Sequence, residues 1–159
     1  MRGAMQQSGR VHRAQRGVTL LELVIVLAAG LILTSLAIPA FSGFIERSRV
    51  ARATGDIGTL SLQLYRWQLT TLTFPATLDE AGLGGTVDPW GRPYVYQRVA
   101  GANNGALRKD KNLVPINTDF DLYSVGADGD TAKPLTAAKS HDDVVRANDG
   151  SYIGLAVNY

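Results

Sequence analysis

Residues 18–38 read VTLLELVIVLAAGLILTSLAI, an apolar run whose single formal charge is Glu22. About 20 apolar residues suffice to cross the hydrocarbon core of a bilayer as a helix, which satisfies its own backbone there. A removable secretory signal has a shorter apolar region that closes on a small-residue cleavage site, so this run predicts an anchor that stays with the chain. The residues ahead of it are basic (Arg2, Arg10, Arg13 and Arg16), with no acid before Val18. That flank favours a cytoplasmic N-terminus and puts the rest of the chain on the far side of the membrane. An acid inside a span costs about 3 kcal/mol on insertion scales and calls for a partner or a function. Glu22 is therefore the first candidate functional residue, against the plainer alternative of a carboxylate hydrated at the headgroups.

Charge and composition bound the remainder. The chain has 159 residues, enough for one modest domain, with 16 Lys+Arg against 14 Asp+Glu. Subtracting the four arginines before Val18 leaves 12 against 14, about −2 for residues 18–159. The positive balance thus belongs to the N-terminal stretch, and no nucleic-acid partner is expected without a basic patch in the folded part. The absence of cysteine excludes disulfides, thiolate metal centres and a cysteine nucleophile. A small exported domain without disulfides draws on another staple, such as a metal or oligomerisation.

Pro39 ends the apolar run and lacks an N–H for the helix ladder. It marks either the outer end of the span or a site that kinks or melts when subunits assemble. Beyond it the pattern turns amphipathic: Ile57, Leu60, Leu64 and Trp67 recur at helical spacing, with Arg49, Arg52, Asp56, Gln63 and Arg66 mostly on other faces. This predicts one long helix from Val18 to about Leu69, with residues 18–38 as its membrane-spanning part and residues 39–72 as the amphipathic continuation. Residues 73–159 form the head. A short helical turn is expected over 77–83, then a turn at Asp88-Pro89-Trp90-Gly91-Arg92-Pro93. Strands are expected at 94–99, 120–125 and 152–157, with a long acidic loop from Asp128 to Asp149 before the last. The fold class is α+β: a long N-terminal helix packed on a small antiparallel sheet of about three strands.

The string RGVTLLELVIVLAAG resembles the signal of type IV pilins and type II secretion pseudopilins, in which a basic leader ends in Gly and Glu stands fifth after the cut. Gly17, Val18 and Glu22 match that spacing, although the first mature residue of the family is commonly Phe. The strings DPWGRPYVY (88–96) and DFDLYSVGADG (119–129) are similar to the head of the major pseudopilin of type II secretion. The resemblance implies cleavage of a 1–17 leader between Gly17 and Val18 by a prepilin peptidase, and N-methylation of Val18. It also implies filament assembly through Glu22, Val18 and Pro39, with the new amino terminus of Val18 neutralising Glu22. The implied protein is a structural subunit of a periplasmic pseudopilus that drives export by the type II secretion system. Its partners would be copies of itself, minor pseudopilins and an inner-membrane platform. The alternative within the superfamily is a type IV pilin of a surface filament for adhesion, motility or DNA uptake. The location implied is the bacterial inner membrane, single-pass, with a periplasmic head.

Major pseudopilins hold calcium in the C-terminal loop. The resemblance carries the ligands over to Asp128, Asp142 and Asp143, with the carbonyl of Val125 as a main-chain donor. Calcium takes six to eight oxygen ligands, and clustered acids repel unless a cation neutralises them. The family's glycine-rich stretch is replaced here by residues 130–139, a partly basic insert. Catalysis is not expected: His12 lies in the leader, and His141 stands alone beside Asp142.

Overall fold

The computed structural model describes residues 17–159, apart from the side chains of Ala37, Pro39 and Ala40. The leader residues 1–16 and the side chain of Pro39 therefore lie outside the described residues. The described residues divide into two compact units, the first ending at Phe41 and the second running from Ser42 to Tyr159.

Helix α1 runs from Leu20 to Thr71. It starts two residues later than the apolar pattern suggests, because Thr19 caps it. The Thr19 hydroxyl accepts the Glu22 N–H at 3.2 Å, and the Thr19 carbonyl accepts the Leu23 N–H at 3.1 Å. Thr19-Leu20-Leu21-Glu22 has the T-x-x-E spacing of a capping box, and Glu22 stands in the first turn, where the helix dipole favours an acid. Along residues 20–36 the apolar side chains face outward, most of them more than half exposed. The hydroxyls of Thr34 and Ser35 donate back to the carbonyls of Gly30 and Ile32, at 2.8 and 2.7 Å, so neither is left bare in an apolar medium.

In the second unit, Ala53, Ile57, Leu60 and Leu64 form the buried stripe of α1. Trp67 continues the spacing but is only partly buried, because the helix ends one turn later. The helix closes at Leu72, whose φ of 63° puts it in the left-handed region and whose N–H donates to the Gln68 carbonyl at 2.7 Å. Residues 77–83 form consecutive turns, with the Leu83 N–H on the Leu78 carbonyl, in place of the expected helical turn.

The sheet has four strands, one more than expected, all antiparallel in the order β1 (Val95–Arg98), β2 (Phe120–Ser124), β3 (Val144–Ala147) and β4 (Tyr152–Leu155). The added strand, β3, interrupts what the sequence suggests is a single acidic loop. Its residues alternate between two small cores. Val144 joins Phe120, Leu122 and the stripe of α1 on one face; Val145 and Ala147 join Tyr123, Ile116 and Leu135 on the other. Strand β2 is buried along its whole length because both cores cover it. Each fully buried Phe, Leu or Ile contributes roughly 1.5–3 kcal/mol by leaving water. Tyr65, Phe74 and Phe120 add edge-to-face contacts at centroid separations of 5.0–5.9 Å.

Candidate functional site

At the start of α1, Val18 is exposed just outside the capped turn, and its nitrogen is an ordinary peptide nitrogen while Gly17 precedes it. Glu22 is exposed among Leu20, Leu21, Leu23, Val24 and Ile25. Among the described residues it forms no ion pair within its own chain. The cap fixes its main chain, and its side chain stands exposed between apolar neighbours on the helix.

The two head strings meet in space. Asp88 is buried, and its Oδ1 accepts the N–H groups of Trp90 and Arg92 at 3.0 and 2.8 Å. Its Oδ2 accepts the Ser124 hydroxyl, and the Ser124 oxygen accepts the Gly126 N–H at 3.1 Å. Arg92 donates to the Gly126 carbonyl at 2.7 Å. Gly129 has a φ of 75°, which favours glycine, and a Cβ there would lie 2.5 Å from the Arg92 guanidinium and displace it. Trp90 then ties the turn to α1 through its indole N–H on Glu46, at 3.1 Å. The D-P-W-G turn and the D-L-Y-S-x-G strand end are thus two halves of one hydrogen-bonded unit.

The three loop carboxylates do not converge. Asp142 Oδ2 accepts the Asp128 N–H at 2.9 Å, and Asp128 Oδ1 accepts the Asp130 N–H at 2.8 Å. Val125 follows β2, with its side chain against the outer core. Asp143 is fully buried and turned elsewhere: its Oδ2 accepts from Arg108 Nη2 at 2.7 Å and from the Thr131 hydroxyl at 2.6 Å. Burial pushes the Asp143 carboxyl above its ordinary value, against the opposing pull of Thr131 and Arg108. Asp130 pairs with Lys139 of the insert. Asp143 Oδ1 is a buried acceptor without a partner, the kind of atom a cation would satisfy. One such oxygen is not a cage of six to eight, and the described residues contain no group of three acidic, histidine or cysteine side chains placed to hold a metal. The residues therefore do not fit the calcium site that the resemblance implies.

Two buried arginines that sequence reasoning passed over organise the head. Arg108 is described above. Arg146, on β3, makes a bidentate pair with Asp119 at 2.8 and 2.6 Å, donates to the Phe120 carbonyl and to the Tyr65 hydroxyl, and lies 4.1 Å from the Phe120 ring centroid. Tyr65 in turn donates to Asp119 at 2.6 Å, so α1, β2 and β3 share one network. The available signal was a lone arginine inside an apolar strand-like run, VVRA, which requires an acid nearby. His141 follows the 3-10 turn Ala138–Ser140 and lines a surface cavity with Asp110, Lys111 and Tyr159.

The model of the prokaryotic N-terminal methylation motif matches residues 12–38. The type II secretion system core protein G of Dickeya chrysanthemi is 30% identical over 142 residues, covering 75% of this chain and 82% of that protein. That of Pectobacterium carotovorum subsp. carotovorum is 32% identical over 130 residues, 80% of each. That of Pseudomonas aeruginosa is 29% identical over 141 residues, 74% of this chain and 87% of the relative. The type IV major alpha-pilin of Moraxella bovis is 43% identical, but over 44 residues, 28% of each. No solved structure matches. Similarity to the core protein G relatives covers three quarters or more of this chain in two of these cases, too much to be confined to its N-terminal helix, and the chain belongs to the family of the type II secretion system core protein G.

Proposed function

We propose that this chain is the structural subunit of a periplasmic pseudopilus, anchored in the bacterial inner membrane by residues 18–38 until it is drawn into a filament. The observation that carries this reading is the start of α1. A threonine cap holds a single acid, Glu22, in the first turn of an outward-facing apolar helix, at the fifth position after the peptide bond that joins Gly17 and Val18. A prepilin peptidase cutting that bond on the cytoplasmic side frees the amine of Val18, which is then N-methylated. In a bundle of identical helices an unpaired carboxylate is strongly disfavoured, and breaking a buried charge pair costs roughly 3–5 kcal/mol. The Val18 amine of the same or a neighbouring subunit neutralises Glu22 and sets the axial register, while apolar packing supplies the adhesion. Pro39 gives α1 a position where the ladder lacks one hydrogen bond. Minor pseudopilins and the inner-membrane platform complete the assembly, and filament growth moves exported protein outward.

The test is Glu22→Gln in the intact secretion system. The variant is expected to accumulate in the membrane, while cross-linked ladders and secretion of the system's cargo each fall at least about tenfold, the effect of 1.4 kcal/mol or more. Wild-type ladders and secretion would refute the pairing. Long surface fibres without a secretion defect on deletion would indicate the type IV pilin alternative, and a ligand-capturing receptor would give no ladder at all.

A further inference from the structure

We propose that the buried guanidinium of Arg108 is the structural cation of the head, closing the acidic loop on Asp143 so that the fold does not depend on calcium. Arg108 joins three segments around the acidic loop: the approach to β3, the insert and β2. Its Nη2 meets Asp143, ahead of β3, and its Nη1 donates to the Thr131 hydroxyl at 2.6 Å and the Ala132 carbonyl at 2.9 Å, both in the insert. Its main-chain N–H donates to Asp121 Oδ2 at 2.7 Å, and its guanidinium lies 4.4 Å from the Tyr123 ring centroid, both on β2. Side chains of Arg108 and Asp143 are 2% and 0% exposed, so the pair stands out of reach of solvent screening.

The insert at 130–139 is built around this pair. Thr131 bonds both partners. The Ser140 hydroxyl donates to the Ala132 carbonyl at 2.8 Å and accepts the Ala132 N–H at 3.1 Å. Main-chain bonds from Lys109 to Lys133 and from Leu135 to Lys109 hold the insert against the strand-like segment that carries Arg108. Lys139 brings a second cation, to Asp130. Asp128 and Asp142 have main-chain N–H donors. A guanidinium presents five donors in a fixed planar fork and keeps its charge at any ordinary pH. The pair leaves one buried donor, Arg108 Nε, and one buried acceptor, Asp143 Oδ1, unmatched. A metal ion would satisfy only the acceptor, and would do so on a carboxylate whose other oxygen already holds a positive group.

Thermal unfolding of the detergent-solubilised full chain, in EDTA and in millimolar calcium chloride, tests this independently of filament assembly. The two melting temperatures are expected to agree within about 1 °C, and titration calorimetry with calcium is expected to find no stoichiometric binding. A rise of about 5 °C or more with calcium, or one-to-one binding, would overturn the proposal. Arg108→Met is expected to lower the melting temperature by at least about 5 °C and to open residues 128–142 to protease, since Asp143 is then buried alone. Unchanged melting and protease resistance in that variant would equally overturn it. If Arg108→Met does not accumulate, the chelation experiment on the unmodified chain decides.

Discussion

Asp119 is pulled in opposite directions by its surroundings. Burial raises its carboxyl, but hydrogen bonds from Arg146, Tyr65 and the Phe120 N–H outweigh this and hold it below the usual carboxylate value. A depressed folded value means that its contribution is fully present above the unfolded value, about 3.9, and is lost as pH falls through the lower folded one. Asp121 and Asp143 act in the opposite sense. Burial keeps both above the ordinary range, so each favours the folded state at low pH and loses that contribution as pH rises through its folded value. Acid unfolding of the head is therefore not a sum over buried acids. Asp119→Asn is expected to cost about 3 kcal/mol near neutral pH, because it leaves Arg146 buried without its counter-charge. Denaturant melts at descending pH should show the gap between variant and parent narrowing only below pH 4, where Asp119 itself becomes protonated. A gap constant to pH 2 would mean that the hydrogen-bond geometry, and not the charge, carries the effect.

Helix α1 and the sheet differ in how openly the sequence displays them. The positions 57, 60 and 64 keep one face of a helix, and the three strands rich in Tyr, Phe and Val follow from β-propensity and flanking turns, so each was legible. Strand β3 was not. Two aspartates precede it and an arginine interrupts it, and the partner that makes Arg146 acceptable, Asp119, lies 27 residues away. The same distance problem hid Arg108 and Asp143, which are 35 residues apart, and the junction of Asp88 with Ser124, 36 apart. Local patterns report faces and turns; they carry no information about which distant charge a buried charge will meet. The T-x-x-E cap at Thr19 was readable in principle, but the run of apolar residues masked it. At the other end of α1, Leu72 is 85% exposed while holding a left-handed conformation that costs a β-carbon roughly 1–2 kcal/mol. Leu72→Gly is expected to stabilise the head by about 0.5 kcal/mol, the strain relieved less the extra freedom of glycine in the unfolded chain. Equilibrium denaturation measures it, and a destabilisation of 1 kcal/mol would show that the exposed leucine is packed against something.

For the whole molecule the decisive quantity is the distribution of charge about the Gly17–Val18 bond. The first 17 residues carry four arginines and no acid, while residues 18–159 carry 12 basic and 14 acidic side chains. Before cleavage, each subunit brought into a helical bundle would bring four positive charges ahead of a span in which Glu22 offers a single negative one. Like charges gathered by neighbouring subunits repel. On the proposed reading, cleavage leaves the Val18 amine and the Glu22 carboxylate, one balanced pair per subunit. The proposed pairing thus makes processing a condition of assembly and not an accessory to export. Intact-mass analysis of the assembled fraction should accordingly find a chain lacking residues 1–17, with or without one added methyl group. Gly17→Glu, which alters the residue at the cut and adds an acid to the leader, should leave a full-length chain of 17.0 kDa in the membrane and out of cross-linked ladders. Finding the uncut 17.0 kDa chain within filaments would show that four extra arginines are tolerated in the bundle, and the pairing of Val18 with Glu22 would lose its electrostatic basis.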